Sequence, residues 1–218
     1  MSDIRDTSAV ADVVVAGAGH NSLVAAAYLA RVAQRCRVLD VRPVPGGGVA
    51  SEELLLPGFK LDSCSTGHTL IQTNPLLAAD ELGLLAERRL RYIEPDPVAH
   101  VVFPDGDRMT MWLDIDDKIL ARLAISPVDL ERSKAHMWHG TFHGDDPSLA
   151  YSGPQRPADG WAQHRMPTPG LYQTGGTTHP GGSVTGGPGR SAAIGMLRDL
   201  GRDPSEVMPA LAELVPAG

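Results

Sequence analysis

The chain has 218 residues, of which 42% are hydrophobic but only 5% aromatic, enough to bury one core or one domain with a small appendage. Its 19 Lys and Arg against 26 Asp and Glu give a formal net charge of -7, and no cationic block is dense enough to follow a phosphate backbone, so we expect no nucleic-acid partner. The charged N-terminus and the absence of about 18 consecutive apolar residues predict a cytoplasmic chain without a secretory signal or a transmembrane segment.

The first 42 residues contain the order of elements that a dinucleotide site requires. Apolar periodicity predicts a strand at 12–17, a helix from about 20 to 32 and a strand at 36–41. Gly17 allows a sharp turn after the first strand, and Gly19 lets the backbone approach a pyrophosphate that faces the first N–H groups of the helix. Asp40 follows about 20 residues later, at the end of the second strand, where a carboxylate is placed to accept hydrogen bonds from both hydroxyls of a ribose.

Three local signals follow before residue 115. Short strands on either side of Pro57 and Gly58 are predicted to pair. Asn74 followed by Pro75 predicts a helix start, with a capping side chain and a proline in the first turn. The turn-forming run at 104–107 predicts a β-hairpin. The strands predicted in this region lie at 53–56, 59–61, 98–103 and 108–112.

Beyond residue 115 the pattern is less regular. The segment 138–170 is dense in His, Gly, Pro and Trp and has little periodicity. Asp203 and Glu206 predict a capping box for a last helix. The other elements predicted in this part are helices at 116–123, from Ser126 and at 188–200, and a strand at 170–175 that leads into a second glycine-rich turn. The helix at 188–200 is expected to place Ala192, Ala193, Met196, Leu197 and Leu200 along one side.

Three strings of residues resemble one enzyme family. GAGHNSLVAAAYLA, PVPGGGVASEE and THPGGSVTGGPGRSAA are similar to the phytoene-desaturase-like branch of FAD-dependent oxidoreductases, two-dinucleotide-binding flavoproteins that include carotenoid desaturases and isomerases. The resemblance covers residues 11 to about 114 and about 117 to 203. Members are typically much longer, which implies a large internal deletion between these two parts. Ser22 stands where a third glycine is usual, Arg37 where the strand is usually aliphatic, and Asp40 where Glu is commoner.

The resemblance implies an α/β fold: a Rossmann-like FAD-binding domain with a parallel central sheet and a small antiparallel β element, and with the substrate domain largely absent. Residues 1–114 would be the N-terminal part of the FAD-binding domain with a short β-hairpin region, 115–170 a residual irregular segment, and 171–218 the C-terminal FAD-binding motif and closing helices. A helix that begins near Gly189 would direct its positive end towards the flavin. The residues implied to hold FAD are Gly17, Gly19, His20, Asn21, Ser22, Asp40, Arg42, Gly46, Gly47, Gly48, Gly175, Gly176, His179, Pro180, Gly181, Gly182 and Val184.

The implied activity is hydride transfer from a C–H or C–N bond of a small or apolar substrate to the flavin, with no catalytic residue assigned. Two alternatives stay open. One is a shortened flavin-binding relative without a catalytic substrate site. The other, less favoured because the THPGG string has no role in it, is an NAD-dependent reductase. Loss of a substrate domain would leave apolar surface uncovered, so we expect a homodimer, with Trp138 and Trp161 as its anchors.

Two groups of reactive residue types have simpler interpretations. The Gly and Trp residues of the His-rich segment argue against a rigid metal site, so we expect solvated or hydrogen-bonded histidines there and no bound metal. The resemblance leaves open that Cys64 and His68 face the flavin, but we expect a small buried thiol and a structural histidine rather than catalytic groups. Two cysteines, Cys36 and Cys64, predict reduced thiols and no disulfide framework. The metal candidates set aside are His136, His139, His143, Asp145 and Asp146.

Overall fold

The computed structural model describes residues 10–53, 56–62, 64–65, 67–68, 70–93, 95–111 and 155–214, and its helices and strands lie in these ranges. The strands are β1 Val13–Ala16, β2 Cys36–Leu39, β3 Ser51–Glu52, β4 Leu61–Asp62, β5 Ala99–Val102 and β6 Arg108–Met111. The helices are α1 His20–Arg31, α2 Pro75–Ala78 and α3 Gly187–Asp199, with short 3-10 turns at Gly47–Val49, Leu70–Thr73, Pro204–Glu206 and Pro209–Leu214. The helices predicted at 116–123 and from Ser126 fall outside the described residues.

The N-terminal βαβ unit forms as predicted. β1 and β2 are parallel, with Val13 opposite Cys36 and Ala16 opposite Leu39. Parallel neighbours need a crossover connection, and α1 provides it between the two strands. The helix begins with Gly19 as its N-cap. Its buried residues include Ala25, Ala26, Tyr28 and Leu29.

One face of this parallel sheet is exposed in the part of the chain that the structure describes. Val14 is 62% exposed and Leu39 is 55% exposed, whereas Val13 packs against the core. Arg37 lies opposite Val14 and therefore projects from the same face. A cation is tolerated in this strand because it lies on the open side of the sheet. Parallel sheets normally bury both faces, so this face is available for a further contact.

The small antiparallel elements are confirmed, with a shift in one of them. β5 and β6 form a hairpin in which Val102 lies opposite Arg108, on either side of the predicted turn. β3 and β4 also pair, but the pairing is displaced outward from the predicted strands and joins Ser51 to Asp62. The hydroxyl of Ser51 donates to the carboxylate of Asp62, which adds a polar contact at that position.

The start of α2 is confirmed. Asn74 caps the helix by accepting the N–H of Leu76 at 2.9 Å, and Pro75 occupies the first turn. The helix ends at Ala78. Asp80 then adopts a φ of 47°, and its carboxylate accepts two backbone N–H groups further along the chain. Because the Asp80 side chain binds these backbone N–H groups, it competes with the hydrogen bonds that would continue the helix.

One prediction about the C-terminal segment is wrong. The chain at 170–175 forms no strand, because Arg165 and Tyr172 make a single bridge and Gly170, with a φ of 76°, turns the backbone between them. α3 ends at Asp199, one residue before the predicted end, and Leu200 is 47% exposed. The predicted apolar residues that α3 does bury are Ala192, Ala193 and Leu197.

The core lies where α3 crosses α1. The backbones approach so closely that a Cβ at position 189 would lie 2.2 Å from the carbonyl oxygen of Asn21. The N–H of Gly189 also donates to Oδ1 of Asn21 at 3.3 Å. One cluster of buried apolar side chains surrounds this crossing. It comprises Tyr28, Leu29, Val32, Ile71, Leu76, Leu77, Leu82, Ala193, Leu197 and Met208.

A buried polar triad fastens the same crossing. The side chain of Glu81 is 0% exposed and that of Arg190 is 12% exposed. Arg190 donates from Nε and Nη2 to the two carboxylate oxygens of Glu81 at 2.8 and 2.7 Å, and the hydroxyl of Tyr28 donates to Oε2. Burial, reinforced by the Glu81 carboxylate, raises the pKa of Tyr28, so its hydroxyl stays protonated and remains a donor. The triad joins α1, the loop after α2 and α3.

Replacement of Gly189 by alanine should destabilise the fold by about 1–3 kcal/mol, because the added methyl group would clash with the Asn21 carbonyl. Gly195→Ala in the same helix is the matched control. A Cβ there meets its nearest atom at 3.5 Å, so the variant should gain up to about 1 kcal/mol from helix propensity. Urea unfolding measures both changes. Equal stability of the two variants would contradict the close crossing.

Glu81→Ala should cost about 3–5 kcal/mol of unfolding free energy, because it leaves the Arg190 guanidinium buried without its partner. Adding Arg190→Met should recover part of this loss, since it removes the uncompensated charge. Glu87→Ala is the control. It removes an exposed ion pair with Arg31, at 3.6 Å, and should change stability by less than about 0.5 kcal/mol. A small effect of Glu81→Ala, or no recovery in the double variant, would show that the triad does not stabilise the crossing of α1 and α3.

Candidate functional site

The candidate functional site is a cleft of about 910 Å³ at the place where the two glycine-rich segments meet. Its volume lies within the range of about 300–1,000 Å³ that is typical of small-molecule and cofactor sites. The walls come from the βαβ unit with the following turn, from the loop at 64–65, and from two stretches of the C-terminal segment, 175–177 and 182–184. Segments far apart in the sequence therefore form one cavity.

Most of the residues that the sequence assigns to a cofactor lie in this lining. Those that do are Gly17, Gly19, His20, Asn21, Ser22, Asp40, Arg42, Gly47, Gly48, Gly175, Gly176, Gly182 and Val184. Gly46 and Gly181 are buried and lie outside the lining, and His179 and Pro180 are exposed and also lie outside it. The role of each of these residues as a cofactor ligand remains a prediction.

The first glycine turn leaves backbone groups open to the cleft. Gly17 has a φ of 95°, and a Cβ built on Gly17 or Gly19 meets no atom within 4 Å. α1 has no side-chain cap, and its first backbone bond is from Leu23 N to the carbonyl oxygen of Gly19 at 3.0 Å. The N–H groups of the three preceding residues, His20 to Ser22, thus have no partner within the helix. The start of α1 presents donors and the positive end of a helix dipole to the cleft.

Gly46 and Gly47 pack against the first glycine turn and hold it in place. The N–H of Gly46 donates to the carbonyl oxygen of Ala18 at 2.7 Å, and Gly46 forms a bridge with Gly19. A Cβ on Gly47 would approach the Cα of Gly19 to 3.1 Å. Close backbone approach therefore requires glycine at position 47. Gly46 contributes to the site by holding the first glycine turn in place.

Asp40 braces the same turn from β2. Its carboxylate accepts the N–H of Ala18 and, at 2.7 Å, the N–H of Arg42. These two backbone donors, that of Ala18 first, hold the pKa of Asp40 below its ordinary value, so the carboxylate is charged at neutral pH. An ionised carboxylate has about four acceptor sites, which leaves capacity for ligand hydroxyls. The bracing contact was not foreseen from the sequence.

Arg42 brings a cation to the wall of the cleft. Its Nη2 donates to Oε1 of Glu52 at 2.9 Å, in an ion pair whose side chains are 30% and 22% exposed. Nη1 of the same guanidinium is buried and has no hydrogen-bond partner among the residues that the structure describes. A buried N–H without an acceptor is costly, so this donor is suited to an acceptor on a bound ligand.

The start of α3 differs from the expectation. The helix begins at Gly187, and the N–H of that residue donates to Oγ1 of Thr185 at 3.1 Å. Pro188 has no N–H, and the N–H of Gly189 is taken by the side chain of Asn21. The first-turn donors of α3 are thus used within the protein and none is directed at the cleft. The C-terminal segment contributes to the site through the loops before the helix.

The loop that contains Cys64 forms part of the cleft lining. Cys64 is exposed rather than buried, and it lies in the lining with Ser65. His68 supports this loop, with Nε2 3.2 Å from the carbonyl oxygen of Ser65 and Nδ1 3.3 Å from the hydroxyl of Tyr92. The Ser- and Gly-rich string around Cys64 was the available signal. The other lining residues not foreseen are Ala16, Leu39, Val41, Val44, Thr177 and Ser183.

Metal-ligating and membrane-spanning features are absent from the described ranges. Within them no three His, Cys, Asp or Glu side chains lie close enough to hold a metal ion, and both cysteines are free. None of the helices in those ranges is long and apolar enough to cross a membrane. The metal candidates between His136 and Asp146 lie outside them.

The fold and the site together define a class. A parallel βαβ unit with a glycine turn at the helix N-terminus and an acid at the end of the second strand is a Rossmann-like dinucleotide-binding domain. The family of NAD(P)-binding Rossmann-like domains matches residues 15–79. The fold class predicted from the sequence is therefore confirmed.

Three relatives are similar to parts of the chain. A limonene dehydrogenase subunit from Castellaniella defragrans is 35% identical over 132 residues, 61% of this chain and 22% of the relative. Phytoene desaturase (neurosporene-forming) from Rhodobacter capsulatus is 31% identical over 135 residues, 62% of this chain and 25% of the relative. Pyridine nucleotide-disulfide oxidoreductase domain-containing protein 2 from Mus musculus is 38% identical over 86 residues, 38% of this chain and 14% of the relative.

The matched part of the chain thus covers no more than 25% of the length of these relatives. No solved structure matches the chain. The resemblance to phytoene-desaturase-like oxidoreductases that the motifs predict is confirmed by these relatives.

Proposed function

We propose that the chain binds FAD in the cleft and supports oxidoreductase chemistry there. The observation that carries this proposal is the meeting of the two glycine-rich segments in one cavity of about 910 Å³. The helix N-terminus at the start of α1 suits a pyrophosphate, and Asp40 at the end of β2 suits the adenosine ribose. The segments 175–177 and 182–184 supply a second wall for a flat ring system.

The shape of the cleft supports a bulky cofactor. A Cβ on Gly17, Gly19 or Gly175 would meet no protein atom within 4 Å, so the absence of these side chains leaves room in the cavity. Arg42 offers an N–H donor that has no acceptor in the described part of the protein. An NAD-dependent reductase is the second candidate, and the family match favours it. It uses the N-terminal segment alone and leaves the second wall without a role.

The chemistry that FAD supplies when bound is acceptance of a hydride, in this case from a C–H or C–N bond of a small or apolar substrate. The residues of this chain bind and orient the cofactor and exclude water. Two relatives are named for limonene and phytoene, which are apolar molecules, and this supports an apolar substrate. The alternative is a flavin-binding relative without a catalytic substrate site. Reduction of bound FAD by an apolar substrate separates the two.

Titration of the purified protein with FAD should give a perturbed flavin absorption spectrum. Asp40→Ala should weaken FAD binding by at least about tenfold, because it removes charge-assisted hydrogen bonds to the ribose. Asp12→Ala is the control, since Asp12 also binds a backbone N–H, that of Arg35, but lies before β1 and outside the cleft. Thermal unfolding checks that both variants fold. Saturation by NAD with no response to FAD would overturn the proposal in favour of the reductase.

We propose in addition that the chain forms a homodimer through the open face of the parallel sheet. Val14 is 62% exposed on this face and lies outside the cleft lining, and monomeric proteins seldom expose apolar patches beyond several hundred Å². A symmetric dimer lets the same patch cover itself. Of the two anchors expected from the sequence, Trp161 is half-buried and Trp138 lies outside the described residues, and their role in a dimer stays a prediction.

Val14→Lys should convert the dimer to a monomer at micromolar concentration, because it adds a second cation to the contact beside Arg37, which lies opposite Val14 on the same face. Val102→Lys is the matched control: Val102 is 61% exposed, close to the 62% of Val14, but lies on the separate β5–β6 hairpin. Light scattering with gel filtration measures the mass. A monomeric parent chain, or equal masses for the two variants, would exclude this interface.

A further inference from the structure

A short closed loop carries one wall of the cleft. Within it the N–H of Met166 donates to the carbonyl oxygen of Leu171 at 3.0 Å, and the N–H of Gln173 donates to the carbonyl oxygen of His164 at 2.8 Å. The chain then passes directly into 175–177, which line the cavity. The place where this loop closes, at His164 and Gln173, therefore determines where the wall lies.

The ring of His164 makes a second contact to the same residue. His164 is 3% exposed, and its Nδ1 lies 2.9 Å from the carbonyl oxygen of Gln173. A carbonyl oxygen only accepts, so Nδ1 carries the proton and donates. Nε2 is then the unprotonated nitrogen of a neutral ring, and it is buried with no hydrogen-bond partner in the described part of the chain. His164 thus holds both backbone groups of Gln173.

Gln173 transmits this position to the cleft. Its side-chain Nε2 donates to Oγ1 of Thr177 at 3.3 Å, and Thr177 belongs to the lining. The turn at 175–178 is closed by a bond from Thr178 N to the carbonyl oxygen of Gly175 at 3.1 Å. His164, Gln173 and Thr177 therefore form one continuous path of hydrogen bonds from the buried loop to the cavity wall.

The surroundings of His164 oppose a second proton. A proton on Nε2 would create a buried charged N–H without an acceptor. The charge of His179 disfavours a positive charge on His164. The two arginines of this segment have their own partners: Arg156 donates to the carbonyl oxygen of Gly176 at 2.8 Å, and Arg165 is paired with Asp199 at 2.7 Å. Burial, together with His179, holds the pKa of His164 below its ordinary value, although the bond to Gln173 opposes this.

We propose that neutral His164 is a positioning residue for the cofactor cleft: it holds Gln173 and, through Gln173, the 175–177 wall. A second proton leaves the Nδ1 donor in place but puts a charge without an acceptor into the buried site, and so favours opening of the loop and release of that wall. Cofactor affinity then depends on the protonation state of a group that lies outside the cleft lining. The inference deepens the proposed FAD function and rests on it for the identity of the ligand. The coupling between His164 and the wall can be measured without any ligand.

His164→Asn tests this coupling. His164 has a φ of 65°, a conformation that asparagine tolerates, and an asparagine amide can donate to the Gln173 carbonyl without titrating. At pH 8 this variant should bind FAD within about threefold of the parent, whereas His164→Ala, which lacks the donor, should bind about tenfold more weakly, since loss of one buried hydrogen bond is worth about a factor of ten. Rescue by asparagine separates the donor role from simple packing.

The pH profile supplies the second readout. The pKa of His164 is lower in the folded protein than in the unfolded chain, so the unfolded chain binds the extra proton first as the pH falls. The folding equilibrium constant should therefore fall by up to about tenfold per pH unit below about pH 6.5. The parent should lose this stability between about pH 6.5 and its folded pKa, and His164→Asn should not. His100→Asn, which removes an exposed histidine on the β5–β6 hairpin, should keep the parent's profile.

Amide hydrogen exchange localises the effect in the ligand-free protein. At about pH 5, below the ordinary pKa of histidine, the N–H groups of Gln173 and Thr178 should exchange faster in the parent than in His164→Asn. Parallel pH profiles for the parent and His164→Asn, or equal exchange at 173–178, would overturn the positioning role. If FAD does not bind at any pH but the exchange difference is present, the proposed cofactor fails and the His164 coupling stands.

Discussion

The contact between Asn21 and Gly189 is the constraint on which the site depends. Asn21 lies in the first turn of α1, beside the cleft, and Gly189 lies in the first turn of α3, just after the second glycine-rich loop. The two backbones touch so closely that no side chain fits at position 189. Both walls of the cleft are thereby fixed to one point. Arg190, one residue further along, adds a second connection between the helices, because Glu81 binds both Arg190 of α3 and Tyr28 of α1.

Features that depend on neighbouring residues were predictable from the sequence. The cap at Asn74, the β5–β6 hairpin and the capping box of Asp203 with Glu206 were all predicted and all form. Each is specified by residues a few positions apart. The partnership of Glu81 with Arg190 spans 109 residues, so no local pattern indicates it. The most deeply buried ion pair of the described structure therefore could not be predicted from motifs.

The candidate site likewise combines features that local motifs predict with contacts that they do not. The glycine turn and Asp40 could be located because strand, turn and acid follow a fixed spacing. The use of the α3 donors by Thr185 and Asn21 could not, because it depends on which side chains the fold brings to that helix end. The strand predicted at 170–175 failed for a related reason: its residues have the right composition, but Gly170 closes a loop that brings Gln173 back to His164.

The distance along the chain between Asn21 and Gly189, 168 residues, has a consequence for biosynthesis. A ribosome adds about 5–20 residues per second, so roughly ten to thirty seconds separate the emergence of α1 from that of its partner helix. During this interval Tyr28 and Leu29, which the finished protein buries completely, have no α3 to cover them. The nascent helix therefore exposes these side chains to non-native contacts, and the cleft itself cannot form until the second glycine-rich segment has been translated.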